Sequence, residues 1–179
     1  MRLTVGTPAP DFSVTDLYGQ VRTLSDYRGR KLHLSFYRYA SCPFCNLRVH
    51  EMRQKSAAWQ QQGLDLMAVF QSPVESIQEY AVGKVEEFPV IPDPARMLYK
   101  AYGAETSWLA FARSATRLKD VASATAKGFL PGKMEGEINQ VPAEFLIDES
   151  GIIRTAFYGK DIGDHLDISV IERFLADRS

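Results

Sequence analysis

Short, mainly apolar runs recur along the chain and predict the strands of a buried sheet. The runs span 32–37, 64–70, 88–91, 141–147 and 152–158. Turn-forming residues at 148–151 separate the last two runs, so these two are expected to pair as an antiparallel hairpin. Two shorter runs within 12–24 flank the turn signal Tyr18-Gly19 and predict a second hairpin near the N-terminus.

Longer stretches between the runs repeat apolar residues at helical spacing and predict helices. The first helix is expected to begin at Pro43 and to end at Gly63. Others are expected from Pro73 to about Val82, from Asp93-Pro94 to Gly103, across 105–127, and from Asp167 or Ser169 through Leu175. Residues 127–140 are rich in glycine and proline and are expected to form a loop.

The order of these elements predicts the fold class. A strand, a helix and a strand in succession pair in parallel through a right-handed crossover, whereas the final hairpin is antiparallel. We therefore expect an α/β fold in which helices flank a mixed central sheet, with an N-terminal hairpin and an inserted helix across 105–127. The apolar face of that helix, which starts at Trp108, is expected to pack, with a lid or a partner-binding face as the alternative. A length of 179 residues predicts one domain spanning 1–179.

Composition and charge exclude several function classes. The chain is 45% hydrophobic and 24% charged with a net charge of -1, so nothing in it predicts binding to nucleic acid or to an anionic membrane. Its first residues contain no apolar targeting segment, and no later run has the length of a membrane span. The protein is therefore expected to be cytoplasmic.

Both cysteines of the chain lie in the segment Cys42-Pro43-Phe44-Cys45, between a predicted strand and a predicted helix. Proline suits the first helical position, so Cys42 is expected to be the N-cap and Cys45 to lie in the first turn. Residues three apart on a helix are ~5–6 Å apart, within the span of a disulfide. The helix dipole stabilises a thiolate, which favours Cys42 as the nucleophile and leaves Cys45 as its competitor.

Three other uses of two cysteines at this spacing are less consistent with the sequence. A tetrahedral zinc site needs four ligands, and only His50 lies near the pair. Two inert buried thiols leave the N-cap position unexplained. A static disulfide conflicts with the short loop and with a reducing cytosol. The pair is therefore expected to be redox-active, and neither a metal nor a cofactor is predicted.

Three motifs spread over nearly all of the chain carry a resemblance to a known family. They are Gly6-x-x-Ala9-Pro10-Asp11-Phe12, Phe36-Tyr37 before the cysteines, and Phe145-Leu146-Ile147-Asp148-x-x-Gly151-Ile152-Ile153. Together they resemble the AhpC/TSA, or peroxiredoxin-like, group of thioredoxin-fold proteins. The resemblance implies a thioredoxin-like fold and thiol-dependent redox chemistry.

The peroxiredoxin pattern implies one assignment of the site. Aligning Phe36-Tyr37 with the family's Phe-Tyr places Cys45 at the peroxidatic position, Cys42 at a threonine position and Arg38 at a proline position. The arginine that peroxiredoxins carry on a later strand falls at Pro142. Two of the three motif residues and the later arginine are therefore missing, and these are the side chains that hold the peroxide.

The thioredoxin and glutaredoxin pattern implies another assignment. The segment 42–45 is similar to the glutaredoxin Cys-Pro-Tyr-Cys, so Pro43 and Phe44 are expected to line the site. Val141-Pro142 stands where these families have a cis-proline that faces the cysteines. The resemblance thus implies a cis Val141-Pro142 bond, with the backbone of Val141 offered to the substrate.

Arginines and histidines near the pair supply few further candidates. Arg38 lies close to the turn and is expected to place positive charge at a thiolate. Arg48, one helical turn after Cys45, is expected to be solvated or salt-bridged instead. The three histidines show no ligand spacing, so each is expected to be structural or exposed and none is assigned a functional role; they are His33, His50 and His165.

The leading hypothesis is a dithiol-disulfide oxidoreductase, in which Cys42 attacks a substrate disulfide, Cys45 resolves the mixed disulfide and Pro142 shapes the binding edge. A second is a thiol-dependent, antioxidant peroxidase that passes through a sulfenic acid on Cys45. A third is a sensing or binding module whose Cys42–Cys45 disulfide changes the affinity for a partner. The expected partners are a disulfide or peroxide substrate, an external thiol reductant, and a second copy of the chain in a homodimer.

Overall fold

A computed structural model describes residues 1–80, 87–113, 122, 124, 126–128 and 132–177. The strands are β1 Ser13–Thr15, β2 Val21–Thr23, β3 Lys31–Phe36, β4 Leu64–Phe70, β5 Val90–Pro92, β6 Ala143–Ile147 and β7 Ile153–Tyr158. The helices are α1 Pro43–Gln61, α2 Val74–Tyr80, α3 Met97–Ala101, α4 Trp108–Arg113 and α5 Ile168–Ala176, and a 3-10 turn spans Leu24–Tyr27.

The central sheet has five strands in the order β5-β4-β3-β6-β7. Strands β3, β4 and β5 are parallel, whereas β6 pairs antiparallel with both β3 and β7. The predicted mixed sheet is thus confirmed. Since β3 occupies the middle, the chain leaves the centre of the sheet at Phe36 and reaches the cysteines six residues later, at Cys42.

Strand β3 is buried along its whole length and separates two hydrophobic cores. Side chains alternate between the faces of a strand, so Leu32, Leu34 and Phe36 point into one core. The other core contains Cys45 and the buried face of α1. His33 therefore points to the α1 side of the sheet, a placement that matters for the site below.

Local sequence signals account for the elements that frame the site. The N-terminal hairpin forms as predicted, with Gly19 in the left-handed region at φ 82°. Helix α1 begins at Pro43 with Cys42 as its N-cap. Gly63 follows the helix at φ 97°, a conformation that ends it and lets β4 begin at the next residue.

Helix α3 starts later than predicted. Arg96 adopts the left-handed conformation at φ 57° and precedes the helix. The carboxylate of Asp93 accepts hydrogen bonds from the backbone N–H groups of Met97 and Leu98 at 2.9 and 2.8 Å. The Asp93-Pro94 signal thus caps a helix that begins at Met97.

Over the residues that the structure describes, the apolar face of the predicted 105–127 helix packs only in part. Helix α4 covers Trp108–Arg113, and Trp108 is 65% exposed while Ala110 is buried. Phe111, which belongs to the predicted apolar face, is half-buried, and its ring centroid lies 5.7 Å from the Arg38 guanidinium. Most of the predicted helix after Arg113 lies outside the described residues. Within the described part of the chain, no helix is long and apolar enough to cross a bilayer.

Candidate active site

Cys42 and Cys45 lie at the start of α1, 2.8 Å apart. Both are free thiols, and both are 0% exposed. The Cys42 backbone is extended at φ -71° and ψ 116°, as an N-cap requires, and the proline after it occupies the first helical position. The predicted geometry of the pair is therefore present, in a dithiol that is closed off from solvent.

Arg38 contacts both cysteines. Its backbone N–H donates to the Cys45 sulfur at 3.4 Å, and its Nη1 donates to the Cys42 sulfur at 3.5 Å. The guanidinium lies 4.7 Å from the Tyr39 ring centroid and 5.7 Å from that of Phe111. Its Nη2 also donates to the carbonyl of Ile138. Arg38 is buried, so its charge acts on the sulfurs with little screening by water.

The two thiols differ in acidity. Burial raises the pKa of Cys42, but a hydrogen bond from Cys45 and the positive charge of Arg38 outweigh it and lower the pKa from 9.0 to about 7. Burial raises the pKa of Cys45 well above 9.0, and the thiolate that forms beside it on Cys42 raises it further. The lowered pKa of Cys42 and the raised pKa of Cys45 make Cys42 the favoured thiolate of the pair, through its contacts with Cys45 and Arg38.

Hydrogen bonds fix the turn that precedes the helix. The amide of Asn46 donates to the carbonyl of Ala40 at 2.9 Å, and the N–H of Ala40 donates to the hydroxyl of Ser72 at 2.9 Å. The N–H of Cys42 donates to the carbonyl of Tyr39 at 3.0 Å. These bonds join the turn to α1 and to the end of β4, so the sulfur positions do not depend on a flexible loop.

The expected cis Val141-Pro142 bond is wrong. The described residues contain no cis peptide bond, so this bond has the trans form that most X-Pro bonds adopt. The backbone of Val141 is also already paired, because its N–H donates to Glu105 at 3.2 Å and its carbonyl accepts from the Gln140 amide at 2.7 Å. Val141 therefore has no free backbone edge to offer to a substrate.

Pro142 itself lies next to β6, just beyond the pairing of Ala143 with Phe36. It lines a cleft of about 290 Å³. The other residues of that cleft include Val141, Glu105, Tyr158 and Lys160. The cleft is adjacent to the end of β3, so Pro142 stays a candidate for shaping the approach to the dithiol.

Phe44, between the two cysteines, lines a separate cavity of about 210 Å³ together with Leu47, Arg48 and His165. Both Phe44 and Pro43 are partly exposed, unlike the cysteines on either side of them. These two residues form the accessible surface of the Cys42–Cys45 segment.

A buried charged cluster behind the site was not predicted. Glu144 is fully buried and accepts hydrogen bonds from His33 Nε2 at 2.7 Å, His165 Nδ1 at 2.9 Å and the backbone N–H of Leu166 at 3.0 Å. Arg48 pairs with the same carboxylate at 3.3 Å. The expectation that Arg48 is solvated or salt-bridged is thus confirmed by its ion pair, and the expectation of structural histidines is confirmed for His33 and His165.

The charges in this cluster compensate one another. Burial raises the pKa of Glu144, but the Arg48 guanidinium and hydrogen bonds from His165 and His33 hold it well below 4.5. The cluster thus keeps an ionised carboxylate inside the fold and ties Arg48, one turn after Cys45, to β6. A glutamate inside the apolar run AEFLI is the sequence signal of such a partnered charge.

Metal binding finds no support among the residues that the structure describes. These residues contain no group of three or more histidine, cysteine or acidic side chains able to hold an ion. The basic group that contacts the two cysteine sulfurs is Arg38, which repels a cation and stabilises a thiolate.

The order in which the cysteines alkylate tests this electrostatic picture. Cys42 should react with iodoacetamide faster than Cys45 near neutral pH, because the thiolate is the reactive form and exists above the pKa. The Cys42 rate should rise through about pH 7, where its pKa lies. In an Arg38→Met variant the same rise should move to higher pH, because the charge that favours the thiolate is gone. Peptide mapping that finds Cys45 labelled first contradicts the assignment.

Comparison with known proteins agrees with this geometry. The model of the AhpC/TSA family matches residues 5–156. A Mycobacterium tuberculosis protein named as a peroxiredoxin is 27% identical over 165 residues, which are 92% of this chain and 91% of that protein. The thiol-disulfide oxidoreductase ResA of Geobacillus thermodenitrificans is 25% identical over 170 residues, 92% of this chain and 78% of that protein.

Among solved structures, the thiol peroxidase from Chromobacterium violaceum superposes with a TM-score of 0.68 at 16% sequence identity. The match covers 98% of this chain and 88% of that one. It shows that the fold is thioredoxin-like, as the three sequence motifs implied.

Proposed function

Since the chain belongs to the AhpC/TSA family and is a thiol-dependent oxidoreductase, we propose that it reduces disulfides through Cys42 and Cys45. The observation that carries the proposal is the contrast within the pair. One thiol ionises at about pH 7 and the other stays protonated well above pH 9.0. A nucleophile and a resolving thiol need that difference.

In the proposed reaction, the Cys42 thiolate attacks one sulfur of the substrate disulfide and the other substrate sulfur leaves as a thiolate. The Cys45 thiol then loses its proton to that thiolate or to solvent and attacks the Cys42 sulfur. The second substrate thiolate leaves, and a Cys42–Cys45 disulfide remains. An external thiol reductant returns two electrons and two protons to restore the dithiol.

Arg38 serves each step of this sequence. Its guanidinium stabilises the Cys42 thiolate before attack and again when the external thiol reductant releases that thiolate. Its backbone N–H donates to the Cys45 sulfur and stabilises the Cys45 thiolate in the second step, when Cys45 attacks the mixed disulfide. A single buried residue thus supplies charge to both halves of the exchange.

The remaining predicted residues take supporting roles in the proposal. Phe44 and Pro43 provide the partly exposed surface beside the dithiol on which a substrate can pack. Pro142 shapes the neighbouring cleft, which Val141 also lines. A dithiol that must be reduced again between turnovers fits a reducing compartment, and we propose the cytoplasm.

Peroxide reduction is the second candidate, and the donors of Arg38 favour it. Hydrogen-bond donors aimed at the cysteines are the groups that can stabilise charge as an O–O bond breaks. In this alternative, an antioxidant activity, Cys45 is oxidised to the sulfenic acid and condenses with Cys42. The raised pKa of Cys45 opposes that assignment, because the thiolate is the form that attacks peroxide.

Stopped-flow oxidation of the reduced protein separates the two candidates. With hydrogen peroxide the wild type should react at a rate near that of an ordinary thiol of the same pKa, because the peroxide-holding threonine and late-strand arginine are missing. With glutathione disulfide it should react faster than that reference thiol. A peroxide reaction far above the reference rate would establish the peroxidase function instead.

A further inference from the structure

One continuous segment contacts the turn that precedes α1. Residues 132–141 form this segment, here called the strap. The hydroxyl of Ser41 donates to the carbonyl of Lys133 at 2.5 Å, and Arg38 donates to the carbonyl of Ile138. A Cβ on Gly132 would lie 2.4 Å from the Tyr80 ring, so the strap begins in close contact with α2. Arg38, which the strap contacts, bonds to both cysteine sulfurs, and the two cysteines are 0% exposed.

Gln71, at the end of β4, anchors the middle of the strap. Its side-chain amide donates to the carbonyls of Glu135 and Glu137 at 3.2 and 2.9 Å, and its oxygen accepts from the N–H of Glu137 at 3.2 Å. Gly136 has φ 61°, and a Cβ there would lie 2.9 Å from the Gln71 side chain. The left-handed backbone favours glycine at this position, and a Cβ there would displace the Gln71 amide from the strap.

The last part of the strap is paired with the chain itself. The N–H of Ser107 donates to the carbonyl of Asn139 at 2.9 Å, and the N–H of Val141 donates to the carbonyl of Glu105 at 3.2 Å. These bonds accompany an antiparallel bridge between Thr106 and Gln140. The segment 105–107 thus lies along the backbone edge that leads into β6.

A buried side chain locks this pairing. Gln140 is 0% exposed, and its Nε2 donates to the carbonyls of Glu105 and Val141 at 2.8 and 2.7 Å. Its Oε1 accepts a hydrogen bond from Arg96. An extended peptide binds a strand edge through free backbone groups, whereas here the carbonyl of Asn139 and both backbone groups of Val141 are already paired.

From these contacts we infer that the site is specific for low-molecular-weight disulfides and rejects disulfides held in proteins. The inference rests on the proposed disulfide reduction. A small disulfide needs only the part of the strap above Ser41 and Arg38 to move. A protein segment that lies along 139–141 must also displace 105–107 and break its backbone hydrogen bonds.

The test measures the rate at which the reduced protein reduces glutathione disulfide and the rate at which it reduces the disulfides of insulin. Each rate is divided by the rate at which dithiothreitol reduces the same substrate, and the quotient is called the divided rate. For the wild type the divided rate should be at least about tenfold higher for glutathione disulfide, because at least one backbone hydrogen bond must break for the protein substrate alone.

Gln140→Met keeps the side-chain volume and removes the hydrogen bonds to the carbonyls of Glu105 and Val141, so it should raise the rate with insulin selectively. Gln71→Ala is the matched control, since it frees the strap but leaves the edge paired and should raise mainly the rate with glutathione disulfide.

Hydrogen exchange of the wild type supplies a readout that needs no variant. The amides of Ser107 and Val141 should be protected in the folded protein, because both donate to backbone carbonyls. Unprotected amides at both positions would overturn the inference whether or not Gln140→Met folds.

Equal divided rates with insulin and with glutathione disulfide would also overturn the inference, while the proposed function would stand. Reaction with neither disulfide would overturn the proposed function itself, and the inference with it. Equal acceleration of both substrates by Gln140→Met would show that the pairing with 105–107 does not select the substrate.

Discussion

Replacement of Cys42 by serine is expected to slow disulfide reduction by at least about 1,000-fold, the scale of losing an enzyme's nucleophile. A serine hydroxyl stays protonated near neutral pH, even beside Arg38, so the variant has no anion to attack sulfur. The measurement is stopped-flow reaction of the reduced variant with glutathione disulfide.

Cys45→Ser is the matched variant, because its sulfur is equally buried and lies in the same turn of α1. Its first attack should survive, since Cys42 keeps the charge of Arg38. The reaction should then stop at a mixed disulfide, visible by mass spectrometry as one added glutathione per chain. The reverse pattern, with fast oxidation in Cys42→Ser and none in Cys45→Ser, would assign the nucleophile to Cys45.

Replacement of Glu144 by alanine is expected to lower the free energy of unfolding by about 3–5 kcal/mol, the range measured when one partner of a buried ion pair is removed. The variant leaves Arg48 buried without its carboxylate and leaves His33 and His165 without their common acceptor. Urea unfolding at neutral pH measures the loss. Glu51→Ala is the control, because Glu51 pairs with Arg48 from the surface at 3.6 Å and should cost less than about 1 kcal/mol.

The same carboxylate predicts a pH dependence of stability. The pKa of Glu144 lies well below 4.5 in the folded protein. The stability that this shift contributes is therefore fully present above about pH 4.5 and decreases as the pH falls below that value, toward the folded pKa. A Glu144→Gln variant should lose this part of the acid dependence. An unchanged slope below pH 4.5 would show that the carboxylate is not held ionised.

Elements with local signals were predictable from the sequence. The proline at the first turn of α1, the glycine after its last turn and the apolar run of β4 each act within a few residues of the backbone they specify. The late start of α3 shows the limit of such signals, because the left-handed backbone of Arg96 decides where that helix begins.

Within the site, the sequence predicted the cysteine pair and Arg38 but not their surroundings. Cys42, Cys45 and Arg38 lie within eight residues of one another, so one turn of chain brings them together. The carbonyl of Ile138, which holds the guanidinium, is 100 residues away in sequence. No spacing rule connects residues at such a separation.

The sequence by itself determined that both cysteines share the start of one helix, the arrangement that dithiol redox chemistry requires, because the proline between them suits the first helical position. Only the tertiary structure decided how that chemistry is enclosed. It set the trans Val141-Pro142 bond, paired the Val141 backbone with Glu105 and gathered His33, Arg48 and His165 around Glu144. The physical reason is that burial and long-range hydrogen bonding depend on which strands become neighbours. That choice is made by packing of the whole chain and leaves no pattern in any one segment.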